Sequence, residues 1–484
     1  MAVLEGLKPE RVFHYFEKIC QIPHGSRNTK QISDYLVQFA KEHGFSYTQD
    51  ESNNVIIRKA ASAGYEDAAG IILQGHCDMV CEKKAGSAHN FEKDPLKLCI
   101  DGDYICAEDT TLGGDDGIAV AYMLAILEDS TLKHPSLECV ITTDEEIGLL
   151  GAYALDASLL KGKRLINLDS EEEGSIWISC AGGMSAQCEI PVSRCTVSGL
   201  RCEVVIEGLL GGHSGAEIDK NRANANLLLG RFLYGLEQKM NFGLMEAEGG
   251  LKDNAIPRTS RAVLVVEEAD AQTLAEHAAK LEAELKKEYE GTDEGITIAV
   301  TMQDPGEFEV LSPVSREKVI FFLMNVPNGI QKMSGSIDGL VETSCNLGIF
   351  SMPVNDTYMF AVSSVRSSVG SAKNALGDRI CYLTEFLGGE YGVEGDYPAW
   401  EYREDSPLRD LMIRIYEKMY DKKPQVVAIH AGLECGLFYD RLEGLDCVSI
   451  GPDMKDIHTS EEKLSISSAA RVYEYLLNVL AASK

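Results

Sequence analysis

No Cys-x-x-Cys pair occurs anywhere in this chain, and no run of apolar residues is long enough to cross a bilayer. The 14 cysteines are scattered, largely in apolar strand-like or helical stretches such as those around Cys99, Cys139, Cys202 and Cys381. That distribution excludes a disulfide scaffold and predicts buried thiols in a reducing compartment. The longest apolar run, which contains residues 119–127, falls far short of a membrane span. The first ten residues lack the basic start and apolar core of a signal peptide, so a cytoplasmic protein is expected. Cationic residues are scarce as well: 45 Lys and Arg stand against 76 Asp and Glu, a formal net charge of −31. Nucleic acid and anionic membrane both require a cationic face, and neither is expected as a partner. The plain reading of the excess acid is solubility.

What is present is an ordinary globular composition, 45% hydrophobic and 25% charged, over 484 residues, too long for one typical core. Residues 9–43 read as helical, with Val12, Phe13, Phe16, Ile19 and Cys20 at helical spacing. Residues 54–58, 70–76, 137–142 and 164–169 read as strands, and 117–128 as a helix so apolar that it must lie inside. Strands alternating with helices predict an α/β fold with a doubly wound mixed sheet. The pattern changes after Gly182-Gly183, where strict alternation over 200–207 gives way to a helix over 224–236. A half-repeat then follows. Asn254-Ala-Ile-Pro, a strand (261–267) and a helix (269–289) form one copy; Asn346-Leu-Gly, a strand (357–366) and a helix (368–387) form the other. A helix (408–420), strands (425–430, 445–451) and a terminal helix (465–480) return to the first style. The expected organisation is a catalytic domain from 1–184 and 395–484, with an α/β lid of two related halves, 185–394, inserted between.

Five residues suited to a metal stand in or beside short motifs. His76 stands in His76-Cys77-Asp78, Asp115 in Gly-Gly-Asp115-Asp116-Gly, Glu146 in Asp144-Glu145-Glu146, Asp169 at a strand end, and His458 near the end of the chain. The front motifs fall at strand ends or a helix start, where open α/β sheets form their sites. Two imidazoles and three carboxylates suit zinc or a similar divalent ion. Three carboxylates and a hydroxide would balance two such ions, with one carboxylate bridging them at the separation of about 3.5–4 Å found in two-metal hydrolases. Asp78, two residues beyond His76 on a strand, projects on the same side and suits the imidazole's remaining N–H. Glu145 and Glu146 suit a division of labour, one as ligand and one moving protons. Cys77 would point the other way, into the core. Each motif also has a bland reading: a polar strand end, an ordinary helix N-cap for Asp115, an acidic solvent loop for 144–146. A calcium loop is disfavoured by the two histidines.

The ordered set resembles the M20 metallopeptidases, and within them the aminoacyl-histidine (Xaa-His) dipeptidases. Gly-Gly-His213-Ser-Gly, Asn-Ala-Ile-Pro and His430-Ala-Gly-Leu-Glu-Cys-Gly extend the resemblance over essentially the whole chain. The resemblance implies a di-zinc site, with cobalt or manganese as alternatives. His76 and Asp169 would hold one ion and Glu146 and His458 the other, with Asp115 bridging ahead of a cis peptide bond. It implies Glu145 as general acid/base, Asp78 as the group orienting His76, and His213 as the donor to an oxyanion. Arg366, in Val365-Arg366-Ser367, would hold the substrate carboxylate, with Asn254, Asn346 and the Gly432 loop as further substrate contacts. It also implies a homodimer, and small peptides ending in histidine as substrates. Rival readings are a deacylase of N-acyl amino acids or a tripeptidase on the same metal site, and a non-catalytic relative.

Overall fold

The structure, a computed structural model, describes residues 3–484. The chain divides into two compact units, one of Met1–Cys180, Tyr402–Ala428 and Leu433–Lys484, the other of Ala181–Glu401 and Ile429–Gly432.

The first unit is built on an eight-stranded mixed sheet. Its middle is parallel: Leu137–Thr142, Ile71–His76, Arg164–Asn167 and Asp446–Ser449 lie side by side in that order. Leu137–Thr142 and Ile71–His76 are buried at every position, as strands covered on both faces must be. Val55–Lys59 and Ser46–Gln49 extend one side antiparallel, and Ser175–Cys180 and Gln425–Ile429 complete the other. Residues 9–43 form two helices, Glu10–Cys20 and Lys30–Glu42, rather than the continuous one expected. Pro23 cannot donate to a helical ladder, and the interruption frees Ser26 to reach Asp78.

The helix at Gly114–Glu128 is buried from Gly114 to Leu127. Asp115 and Asp116 have non-helical dihedrals, so its regular turns begin near Gly117. Gly117 lets the helix approach Glu10–Cys20: a Cβ there would lie 3.3 Å from Phe16. The terminal helix, Ile466–Ala482, is tied to the same element by Tyr122, whose hydroxyl donates to the Ala469 carbonyl at 2.8 Å. A small four-stranded sheet, absent from the sequence reading, joins Leu98–Asp101 and Tyr104–Ala107 to Met454–Lys455 and Lys463–Ser465. His458 lies on the loop between the last two strands.

The second unit has a nine-stranded antiparallel sheet over a helical layer. Its repeat is larger than the sequence suggests. One half runs strand Arg194–Glu207, helix Ala225–Glu237, strands Gly243–Gly249 and Ser260–Val266, helix Ala271–Glu288, strand Thr297–Leu311. The other runs strand Gly182–Pro191, helix Pro313–Asn325, strands Val341–Met352 and Tyr358–Ser367, helix Gly370–Phe386, strand Glu390–Tyr397. In both, the spatial order is fourth, first, third, second, and the two second strands pair antiparallel at the centre. The first half is nested between the first strand and first helix of the other. The corresponding helices meet where Gly230 faces Leu323, at a distance that leaves no room for a Cβ. Asn254 and Asn346 are not equivalent: one precedes a third strand and the other lies within a second strand.

Candidate active site

Five segments of the first unit, those carrying His76, Asp115, Glu146, Asp169 and His458, converge near the ends of its parallel strands. His76 closes the central strand and is 1% exposed. Its Nδ1 lies 3.0 Å from the Asp78 carbonyl and 3.4 Å from Asp78 Oδ1. Its Nε2 lies 3.1 Å from Asp115 Oδ1 and 3.5 Å from Asp169 Oδ1. The other oxygen of Asp115, Oδ2, is 3.1 Å from His458 Nε2, which is also 3.0 Å from Glu146 Oε2. One carboxylate therefore spans two imidazoles, each flanked by a further acid. The peptide bond between Asp115 and Asp116 is cis. Asp116 turns the other way and accepts the His76 backbone N–H at 3.2 Å.

Asp78 ties three elements together. Besides His76 it accepts the Ser26 hydroxyl at 2.8 Å and the Glu145 backbone N–H at 3.1 Å. Burial pushes its carboxyl up, but His76 and these two donors outweigh it and hold it below the ordinary range. Burial, with Asp169, Glu434 and Glu146 nearby, drives the Glu145 carboxyl well above its ordinary range despite the pull of His76. Asp169 is pushed to about 7 by burial and by Asp115 and Glu146, again against His76. Cys77 is buried beneath, and burial pushes its thiol well up. It is a core residue, as its alternation on the strand predicts.

Glu462 went unnoticed in the sequence, where it looks like one more acid at a helix start. Its carboxylate accepts backbone N–H groups from Leu112 at 2.8 Å, Gly113 at 3.1 Å, Gly114 at 2.8 Å and Asp115 at 3.4 Å. A carboxylate from the chain's end thus fixes the loop that carries Asp115. Glu434, in the His430-Ala-Gly-Leu-Glu-Cys-Gly motif, is another buried acid to which the sequence reading gave no role. It accepts from Gln74 and from Thr142, and burial pushes it to about 7.

The acids and imidazoles fit a divalent cation. Atoms of His76, Asp116 and Asp169, of His76, Glu145 and Glu146, and of Asp115, Glu146 and His458 lie within 4.8 Å of one another in each set. Oε1 of Glu146 is buried with no hydrogen-bond partner. A buried carboxylate oxygen left so, among like charges, is stabilised by a cation and by little else.

The remaining candidates lie in the second unit. His213 Nδ1 accepts the backbone N–H groups of Gly215 and Ala216 at 3.2 and 3.0 Å. Burial and the nearby Arg366 lower its pKa, so the ring is neutral with its proton on Nε2. Arg366 is 9% exposed, and its Nη1 donates to the Tyr397 hydroxyl at 2.9 Å. Among the described residues no carboxylate pairs with it, and its buried Nε has no partner. A Cβ on Gly215 would lie 3.0 Å from His213 Cε1 and 3.2 Å from Arg366 Nε, so these two candidates flank one glycine. A Cβ on Gly432 would lie 2.7 Å from the Tyr397 ring. Asn254 is exposed, and its carbonyl accepts the Ser214 N–H at 2.9 Å. Asn346 is buried, and its amide donates to the Asp253 and Ala255 carbonyls, both at 2.9 Å. Its donors are engaged in bracing the loop that carries Asn254.

Comparison with known proteins matches this arrangement. The chain is 36% identical over 482 residues to the cytosol non-specific dipeptidase of Escherichia coli (strain K12), covering 99% of each. It superposes on the crystal structure of aminoacylhistidine dipeptidase from Vibrio alginolyticus with a TM-score of 0.93 and 35% identity, over 99% of this chain and 98% of that one. The fold is shared with aminopeptidase PepT of Bacillus cereus, at a TM-score of 0.56 and 16% identity over 99% of both chains. Residues 72–482 match the model of peptidase family M20/M25/M40, and the chain belongs to that family.

Proposed function

We propose that this chain is a metal-dependent dipeptidase. The observation that carries the reading is the single Asp115 carboxylate held between His76 and His458, with Asp169 and Glu146 beside them. Relatives similar over the full length are named as dipeptidases, which supports the reading.

In this reading His76 and Asp169 would hold one divalent ion and Glu146 and His458 a second, with Asp115 shared between them; zinc would be the first choice, with cobalt or manganese as alternatives. When bound, such a pair supplies Lewis-acid activation of a water and of the scissile carbonyl. Glu145 takes the water's proton on its carboxylate and returns it to the leaving amine. Asp78 sets the orientation of His76 and, through the Glu145 N–H, the backbone position of the base. His213 donates from Nε2 to the developing oxyanion, and Arg366 holds the C-terminal carboxylate. Asn254 and the Gly432 loop belong to the same substrate-holding unit, and Asn346 acts by bracing the Asn254 loop. Among the described residues no disulfide links the cysteines and no helix is long and apolar enough to cross a membrane. We read the protein as cytoplasmic and, on the resemblance, as a homodimer.

The test is hydrolysis of β-Ala-His, Gly-His, Ala-Ala, Ala-Ala-Ala and N-acetyl-Ala with added zinc and after chelation. Zinc-dependent cleavage of dipeptides, strongest for those ending in histidine, is the expected result. Cleavage of Ala-Ala at an equal rate would widen the range to dipeptides in general. Cleavage confined to the acetylated or the three-residue substrate would overturn the dipeptidase reading.

A further inference from the structure

We propose that Tyr397 is a positioning residue that presents Arg366 to the substrate's C-terminal carboxylate, and that Gly183 is glycine so that the two can meet. The inference rests on the reading of Arg366 given above and adds to it what aims the guanidinium.

The argument begins with strand register. Arg366 pairs with Gly183 on one side, and Tyr397 pairs with Gly183 on the other. The three residues form one row across three strands, about 9–10 Å from end to end by ordinary strand spacing. A side chain on the middle residue would stand between the outer two. A Cβ on Gly183 would lie 2.4 Å from the Tyr397 hydroxyl oxygen. With none there, the long side chains of Arg366 and Tyr397 reach over the glycine and meet at 2.9 Å, Nη1 to Oη. The register shift between Glu394 and Tyr397 is what brings the tyrosine into this row. Gly432 confines the ring from another side, since a Cβ there would lie 2.7 Å from Cε2 and 3.1 Å from Cζ.

The contact has a chemical consequence. A guanidinium offers five N–H donors in a rigid fork, and fixing one nitrogen fixes the plane. Once Nη1 is engaged by a neutral oxygen, the charge remains uncompensated. Nε is buried without a partner, and both imidazoles influenced by Arg366, His213 and His430, are held neutral by burial and by Arg366 itself. A carboxylate partner in place of the tyrosine would neutralise the arginine and close the site to an anion. A phenol orients it and leaves its charge for the substrate.

Tyr397→Phe keeps the ring and removes one oxygen. With the dipeptide identified in the panel above, KM should rise about tenfold and kcat stay within about threefold, as expected for loss of a hydrogen bond to a charged group. The wild type should prefer that dipeptide over its C-terminal amide, and the variant should lose most of this preference. Gly432→Ala, which crowds the ring and its hydroxyl while leaving the oxygen in place, should raise KM in the same way. Arg366→Ala serves as the reference. If it raises KM while Tyr397→Phe leaves KM and the amide preference unchanged, the positioning role is overturned. If Arg366→Ala itself leaves KM unchanged, the reading of Arg366 is overturned, and the role of Tyr397 with it.

Discussion

His458 Nε2 lies 3.1 Å from Asp115 Oδ2, although 343 residues separate the two in the chain. The small sheet makes the contact: Lys463–Ser465 pairs with Tyr104–Ala107, so the end of the chain is laid beside the strand leading into the Asp115 loop. Glu462, the residue before Lys463, then accepts four backbone N–H groups of that loop. The contact that completes the cluster and the one that fixes its central carboxylate come from the same short segment.

Replacing Glu462 should therefore damage the site without touching a proposed ligand. Glu462→Gln keeps one acceptor oxygen but turns an NH2 group toward backbone donors. Stability should fall by roughly 2–3 kcal/mol, as for a buried, charge-assisted hydrogen-bond group lost. Urea unfolding checks the first effect, and zinc titration should show weaker binding at unchanged stoichiometry.

Glu145→Gln isolates the proton-transfer role. The amide cannot take a proton from water, so kcat should drop about 10²–10⁴-fold. Metal content, measured by elemental analysis after dialysis, should equal that of the wild type. Full activity in this variant would remove Glu145 as the base.

Metal uptake should release protons. Asp115 and Glu146, through hydrogen bonds and charge, raise the His458 imidazole to about 11, against the opposing effect of burial. A pKa raised above the unfolded value means that the protonated ring stabilises the fold fully below pH 6.5, an effect lost as pH rises through about 11. At pH 7 the ring of the metal-free chain carries a proton that ligation must displace. Zinc titration by calorimetry in buffers of different ionisation heat should show net proton release, and apparent affinity should rise with pH. Chelation should abolish hydrolysis, and zinc, cobalt and manganese should be compared for its recovery.

His430 should make the second unit acid-sensitive. Its ring is buried beside Ser344, whose hydroxyl is 2.7 Å from Nε2, and burial with the charge of Arg366 lowers it from 6.5 to about 4. Between those values the unfolded chain binds the proton and the folded chain does not, so stability falls as pH drops through this window. The contribution is roughly 3 kcal/mol. Urea unfolding at pH 7 and pH 4.5 should show the loss, and His430→Gln should reduce it.

The front members of the acid and imidazole cluster, His76, Asp115, Glu146 and Asp169, stood out in the sequence because they follow strands or open a helix, where local patterning reveals both the element and its end; His458, on a loop between two short strands, carried no such signal. His76-x-Asp78 needed only the two-residue period of a strand. Glu462 was not legible, since one acid among Thr-Ser-Glu-Glu looks like its neighbour until the small sheet sets which one turns inward. Tyr397 was hidden for a related reason: its partner is set by register across three strands and by a shift within the last. Asn346 resembled a binding residue by motif, yet its amide serves the neighbouring loop. The repeat was glimpsed only as strand–helix pairs, because the nesting separates the remaining equivalent elements along the chain.

That nesting imposes an order of assembly during synthesis. The strand Gly182–Pro191 leaves the ribosome first but has no neighbour until Tyr358–Ser367 and Glu390–Tyr397 follow. All six elements of the inner half emerge in between, contiguous and able to pair with one another. The inner half should fold as translation proceeds, while the orphaned strand waits with both edges open, a state prone to pairing with other chains. For this protein the vulnerable moment in biogenesis is the interval in which a finished half stands beside an unpartnered strand.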